Sequence, residues 1–311
     1  MILYNNVDNF NNNFNFDLNI INHIDIQIID NINIEYLTID NNNNIDILYN
    51  NDIILNNQKH IDNYNICFII SCKYYKNYVT YIKYYIDNII SFYTNYLIII
   101  VDNNSIYINE LIQLIHQINY KNVILLNNNM ECKFEIGAYK MGIIYLLKNN
   151  LIKNYDYYVF TQDNFILKNK YDFNILKYNH IYACPINEHD EAPYYYPNIT
   201  EYAYYILKEI KLFDNLDKIT FCWCNSFILH KTKLIDFYNY TKDIIIINRF
   251  QSECSERYLP RILYELNNHK NYNIDGFLND IKYNTQDKYI NTNILSYFEK
   301  KLQNKTEKTI E

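Results

Sequence analysis

The residues with the plainest chemical potential follow an aromatic strand. Tyr157-Tyr158-Val159-Phe160 is apolar, Thr161-Gln162-Asp163-Asn164 turns polar, and Phe165-Ile166-Leu167 is apolar again. A buried strand that breaks off in this way delivers a carboxylate to the edge of a sheet. In open α/β sheets, ligands bind just beyond the carboxyl ends of the strands. Asp163, with Gln162 and Asn164 beside it, could hold a divalent cation that neutralises a diphosphate. Such ions take one or two carboxylates, with phosphate oxygens and water completing the shell. A loop or helix cap would use the same residues equally well.

Three further stretches carry chemistry of the same kind. Asp102-Asn103-Asn104-Ser105 follows the apolar run Leu97 to Val101. An acid or amide there can bond a ribose hydroxyl or a base edge, and a Ser or Asn there can equally cap the next helix. Glu135-Ile136-Gly137-Ala138-Tyr139-Lys140-Met141-Gly142 holds two of the chain's 3 glycines. Gly137 would let a helix N-terminus approach a phosphate, with Lys140 adding charge; tight packing on the sheet explains the same pair. Arg249 to Leu259 includes or adjoins every arginine, namely Arg249, Arg257 and Arg261. Glu253 or Glu256 in it could serve as a general base toward a hydroxyl. The alternative is an N-capped helix, with Ser252 or Ser255 as the cap and acids in its first turn. Glu188-His189-Asp190-Glu191 has metal-type residues without converging spacing and reads as a solvated, mobile loop.

The elements that must position these groups are legible from periodicity. Strands are expected at Ile66 to Cys72, Leu97 to Val101, Val123 to Leu126 and Tyr157 to Thr161. Helices are expected at Tyr75 to Tyr93, Ile108 to Ile118 and Phe134 to Leu147. That alternation predicts a parallel, doubly wound half-sheet. Beyond it the pattern predicts a strand at Ile181 to Cys184, a long loop at Pro185 to Pro197, and a helix at Glu201 to Phe213. It continues with one or two strands at Ile219 to Leu229 and a helix at Ser255 to Leu266, where Pro260 marks a start or a kink. Residues 1–63 are Asn-dense with short period-2 alternations, and read as a separate leader, a small β unit without nameable chemistry. A domain is expected over 64–285. The tail 286–311 carries one amphipathic helical stretch, Ile294 to Leu302, and frays.

The totals exclude several classes. Net charge is -7 and the basic residues form no stripe, which argues against nucleic acid as a partner. A hydrophobic fraction of 49% permits a sizeable core. Seven cysteines without regular spacing read as free thiols in a reducing compartment. No basic-then-apolar leader opens the chain, and no apolar run is long enough to span a bilayer. The expectation is a soluble protein without a transmembrane segment, in the cytoplasm. The Asn, Ile, Tyr and Lys bias fits an AT-rich genome such as that of a large DNA virus or a protist. For a viral source the location becomes host cytoplasm or virion.

The order of these pieces resembles a glycosyltransferase of the GT-A fold, in the broad family-2-like group that includes transferases of rhamnan and other polysaccharide synthesis. The pieces are the strand into Ser71-Cys72, Val101 to Ser105, Glu135 to Tyr139, and Phe160 to Asn164. Trp223 to Leu229 is similar to that family's Trp-to-apolar strand, and Glu253 to Leu259 to its acidic helix start. The likeness covers roughly residues 65–265 and implies a GT-A-like (Rossmann-like) mostly parallel sheet flanked by helices, with the Asn-rich N-terminal appendage outside it. It implies a nucleotide-sugar donor bound by Ser71, Asp102, Asn103, Ser105, Gly137, Lys140, Gln162 and Asp163. It also implies a divalent cation, Mn²⁺ or Mg²⁺, on Asp163, a hydroxyl acceptor (glycan, lipid or protein-linked), and Glu256 or Glu253 as base. The chain departs from the family where an Asp-x-Asp motif reads Thr161-Gln162-Asp163. Either Asp163 binds the metal with phosphate help, or the enzyme dispenses with metal, or the domain binds nucleotide or glycan without catalysing.

Overall fold

The computed structural model describes residues 64–73, 79–118, 122–163, 165–167, 170–176, 181–183, 186–189, 197–212 and 219–268, with short strands at 35–39, 45–49 and 298–300. In chain order the elements are β1 (Glu35–Ile39), β2 (Ile45–Tyr49), β3 (Ile66–Cys72), α1 (Val79–Phe92), β4 (Tyr96–Asp102), α2 (Ile108–Ile118) and β5 (Val123–Asn127). They continue with α3 (Phe134–Lys148), β6 (Tyr157–Gln162), β7 (Phe165–Leu167), β8 (Ile181–Ala183), β9 (Ile186–His189), α4 (Pro197–Glu209) and β10 (Ile219–Cys222). The last are β11 (Phe227–His230), α5 (Leu234–Thr241), α6 (Arg249–Leu266) and β12 (Phe298–Lys300).

The principal sheet has eight strands in the order β2-β1-β5-β4-β3-β6-β11-β8. Its centre, β5-β4-β3-β6, is parallel, and β11 then pairs antiparallel to both β6 and β8. Strand β3, Ile-Cys-Phe-Ile-Ile-Ser-Cys, is buried along its whole length. A continuous apolar strand of this kind belongs to a parallel sheet covered on both faces by helices. The expected mostly parallel α/β sheet flanked by helices is the architecture found. Helix α3 is buried continuously from Ile136 to Leu146, because apolar residues occupy every face rather than one stripe. On it, a Cβ at Gly142 would meet Ile69 Cγ2 of β3 at 2.6 Å, so this glycine serves close packing of helix on sheet. No described helix is long and apolar enough to cross a membrane.

Five expectations are corrected. Strands β1 and β2 form a hairpin that joins the main sheet through β5, so that part of the 1–63 leader belongs to the sheet; the leader's other residues lie outside those described. The amphipathic tail, expected to be helical, contributes Phe298–Lys300 as a strand on β7, because pairing with a partner strand overrides weak local periodicity. Helix α6 starts at Arg249, six residues before the expected Ser255, and its cap is Asn248, whose side chain accepts from the Gln251 N–H at 3.0 Å. Ser252 and Ser255 lie inside it, as does Pro260. Helix α4 begins at Pro197, where a proline's missing N–H costs nothing. Glu188 and His189 stand in β9, paired with β10, rather than in a mobile loop.

Candidate functional site

The chain winds outward from β3 to β4 and β5, then crosses back to β6 on the far side of β3. That reversal makes the carboxyl ends of β3 and β6 the switch point, where open α/β sheets bind ligands. Asp163 follows the last residue of β6 at this point. Its N–H donates to Ser71 O at 3.0 Å, which extends the β3–β6 pairing by one residue. Its Oδ2 accepts the Lys73 N–H at 2.9 Å, and the Cys72 thiol also bonds it. No cationic side chain pairs with it among the described residues. Burial pushes the Asp163 carboxyl up to about 7, Asp102 and Glu135 push the same way, and the bonds from Lys73 and Cys72 pull it back. A carboxyl held this far from its ordinary range at a sheet edge makes Asp163 a candidate functional group.

The neighbouring strand ends form a chain of amides. Asn103 Nδ2 donates to Ser71 Oγ at 3.1 Å. Asn128, fully buried beyond the end of β5, donates to Asn103 Oδ1 at 2.8 Å and to Cys132 O at 2.9 Å. Lys73 Nζ reaches the carbonyls of Asn103 and Asn104 at 3.4 and 3.1 Å. Ser71, Asn103, Gln162 and Asp163, all expected at the site, are therefore brought together at the ends of β3, β4 and β6.

Other expected residues are spent on structure. Asp102 is 1% exposed, and its carboxylate accepts from Ser105 N at 2.9 Å and from Ser105 Oγ. The pair closes a turn in the loop ahead of α2, and both side chains are engaged there. Gly137 does not face a ligand: a Cβ there would lie 2.1 Å from Cys132 O and 2.9 Å from Asn128 Nδ2. Lys140 lies beneath the surface, where its ammonium donates to the carbonyls of Thr241, Lys242 and Ile244 at 3.2, 3.0 and 2.6 Å. It caps the end of α5 and adds no charge to a phosphate site. Burial lowers its pKa, and the three carbonyls replace the water it has lost.

The two candidate acids of α6, Glu253 and Glu256, separate. Glu253 pairs with Arg249 one turn earlier at 2.8 Å on the exposed side of the helix and joins none of the strand-end groups. Glu256 faces inward, where Oε1 accepts the Cys224 N–H at 3.0 Å. Cys224 and Asn225 have φ of 56° and 50°, a left-handed conformation that costs non-glycine residues energy and is held only where the surroundings enforce it. Glu256 thus braces the tight turn between β10 and β11.

Glu135, at the start of α3, escapes a sequence reading of single residues. Its Oε1 accepts from Gln162 Nε2 at 2.6 Å and its Oε2 from Ser252 Oγ at 2.7 Å. It ties β6, α3 and α6 together beside Asp163. Asn128 and Lys73 escape it as well. An asparagine has no contrast within Asn127-Asn128-Asn129, and Lys73 carries no motif.

Among the described residues no group of three or more His, Cys, Asp or Glu side chains is placed to hold a metal. The six described cysteines are buried free thiols, as expected. No family model matches the chain, and no curated protein does. Among solved structures, it is similar to the apo structure of the bifunctional glycosyltransferase WbbM at 12% identity and a TM-score of 0.42, over 84% of this chain and 50% of that one. It therefore spans half the length of that protein. It is similar to an active-site mutant of LgtC at 10% identity and a TM-score of 0.42, over 77% and 88% of the two chains. It is similar also to galactosyltransferase LgtC in complex with donor and acceptor sugar analogs, at 9% identity and a TM-score of 0.38, over 77% and 87%.

Proposed function

We propose that the chain is a glycosyltransferase of the GT-A-like class, which moves a sugar from a nucleotide-sugar donor to a hydroxyl of a glycan, lipid or protein-linked acceptor. The observation that carries this reading is Asp163: a buried carboxyl, unpaired with any described cation, at the switch point of a doubly wound sheet. The motif order in the sequence supports it. In this reading the nucleoside lies over β3 and β4, against Ser71 and Asn103, whose bonded side chains present fixed donors and acceptors. The diphosphate lies toward Asp163. The chemistry of the donor set fits a divalent cation, Mn²⁺ or Mg²⁺, with one protein carboxylate and the rest of the shell from phosphate oxygens and water. A cation held by Asp163 would supply charge neutralisation to the departing diphosphate. Glu256 is the acid that would take the acceptor's proton, since Glu253 is turned to solvent.

A second reading is a domain that binds nucleotide or glycan without turnover. The bond between Glu256 and the Cys224 N–H favours it, because that acid already has a structural task. Calorimetry with UDP-, GDP- and TDP-sugars in the presence of Mn²⁺ tests both readings. Binding of one donor is expected, and binding of none rejects the transferase reading. Asp163→Ala, checked for an intact fold, is expected to abolish turnover of the donor that binds. Binding without any transfer or hydrolysis by the unaltered protein would select the second reading.

A further inference from the structure

The last polar groups on β6 point to how the donor's sugar is read. A glutamine side chain offers a donor end and an acceptor end, and which end faces a ligand depends on what holds the other. Gln162 Nε2 is 2.6 Å from Glu135 Oε1. A carboxylate oxygen only accepts, so the amide must turn its NH₂ toward Glu135. Glu135 is itself fixed, because its second oxygen takes the Ser252 hydroxyl at 2.7 Å. Gln162 Oε1 has no partner among the described residues, and Gln162 is only half-buried, next to Asp163. Among the described residues Oε1 is thus an acceptor without a donor, beside the Asp163 carboxylate.

We propose that Glu135 is a positioning residue that locks the Gln162 amide, so that Gln162 Oε1 accepts a hydrogen bond from one hydroxyl of the donor's sugar. The inference rests on the nucleotide-sugar reading above and specifies its substrate class: donors whose sugar carries a donating hydroxyl at the position facing β6. A site built around a directed hydrogen bond discriminates against a ligand that lacks the partner group, because a polar atom is then left unpaired. A deoxyfluoro sugar is the sharp probe, since fluorine keeps the size of the hydroxyl and cannot donate.

The test measures affinities for the nucleoside diphosphate, the best-binding nucleotide-sugar and its series of monodeoxyfluoro analogues. The wild type is expected to bind one analogue roughly tenfold more weakly than the parent, the worth of a single neutral hydrogen bond. In Glu135→Gln the amide is free to turn, and this discrimination is expected to fall below about threefold, while affinity for the bare diphosphate stays within about twofold. Gln162→Leu, which removes the acceptor outright, is expected to do the same and carries the test if Glu135→Gln fails to fold. A merely structural Glu135 would weaken every ligand alike and leave the ratio unchanged. Three results overturn the inference: no analogue distinguished by the wild type, a preserved ratio in both variants, or the diphosphate and the donor lost together. If the wild type binds no nucleotide-sugar at all, the underlying reading fails as well.

Discussion

Asp163 should make the protein less stable as pH rises, and replacing it with asparagine should abolish that dependence. Its carboxyl, ordinarily near 3.8, stands at about 7 in the folded chain. The folded state therefore holds the proton more tightly than the unfolded state does. The stability this provides is complete below about pH 3.8 and is lost as pH climbs through 7. The gap of roughly three pH units, at about 1.36 kcal/mol each, makes the ionised group cost roughly 4 kcal/mol at full titration. Between pH 5 and pH 8 the loss is roughly 3 kcal/mol by the same linkage. The substitution Asp163→Asn keeps an acceptor for the Lys73 N–H and removes the charge. Urea unfolding of wild type and variant across that range reads this group, because titrations remote from it cancel in the difference. The variant is expected to gain roughly 3 kcal/mol relative to wild type on going from pH 5 to pH 8. A difference that stays flat with pH would refute the argument that this carboxyl is buried and uncompensated. It would also weaken the functional reading, which treats that uncompensated charge as strain retained for a ligand.

Three other outcomes are expected. His230 is buried with its pKa pushed down to about 4, chiefly by burial and then by Lys231, so its stability contribution is present above 6.5 and is lost as pH falls toward 4. His230→Asn should flatten that acid limb in urea titrations, by up to roughly 3 kcal/mol. Lys140→Met leaves three carbonyls at the end of α5 without their donor. It should lower unfolding free energy by about 3 kcal/mol, while affinity for any bound nucleotide stays unchanged; a large loss of affinity in a folded variant would return Lys140 to the binding site. Gly137→Ala should destabilise more than Gly142→Ala in thermal melts, the former by ~3 kcal/mol. A Cβ at 137 meets a backbone carbonyl at 2.1 Å, whereas one at 142 meets a side-chain methyl, Ile69 Cγ2, at 2.6 Å.

Much of the central fold is legible because buried parallel strands and their helices carry strong local patterns. Ile66–Cys72 and Ile108–Ile118 are found at the residues expected, since each is bounded by polar loops. The start of α6 is not legible, because Asn248 caps it from within a chain so rich in asparagine that a capping Asn has no contrast. Strand β12 is illegible because three residues carry no reliable period, and only β7 supplies their hydrogen-bond partners.

For the site, the sequence by itself determined that Gln162 and Asp163 follow one apolar strand and that Ser71 and Asn103 end or follow others. Polarity breaking off at a strand end is a local signal and survives without coordinates. Only the tertiary structure decided which polar groups are available and which are consumed. Lys140 and Glu253 have the chemistry of binding residues, yet one donates to three carbonyls more than 100 positions later and the other pairs on a surface turn. Glu135 looks in the sequence like part of a helix start and instead joins three elements through Gln162 and Ser252, the latter 117 positions away. A hydrogen bond is satisfied by whatever lies within about 3 Å, and sequence distance carries no information about that.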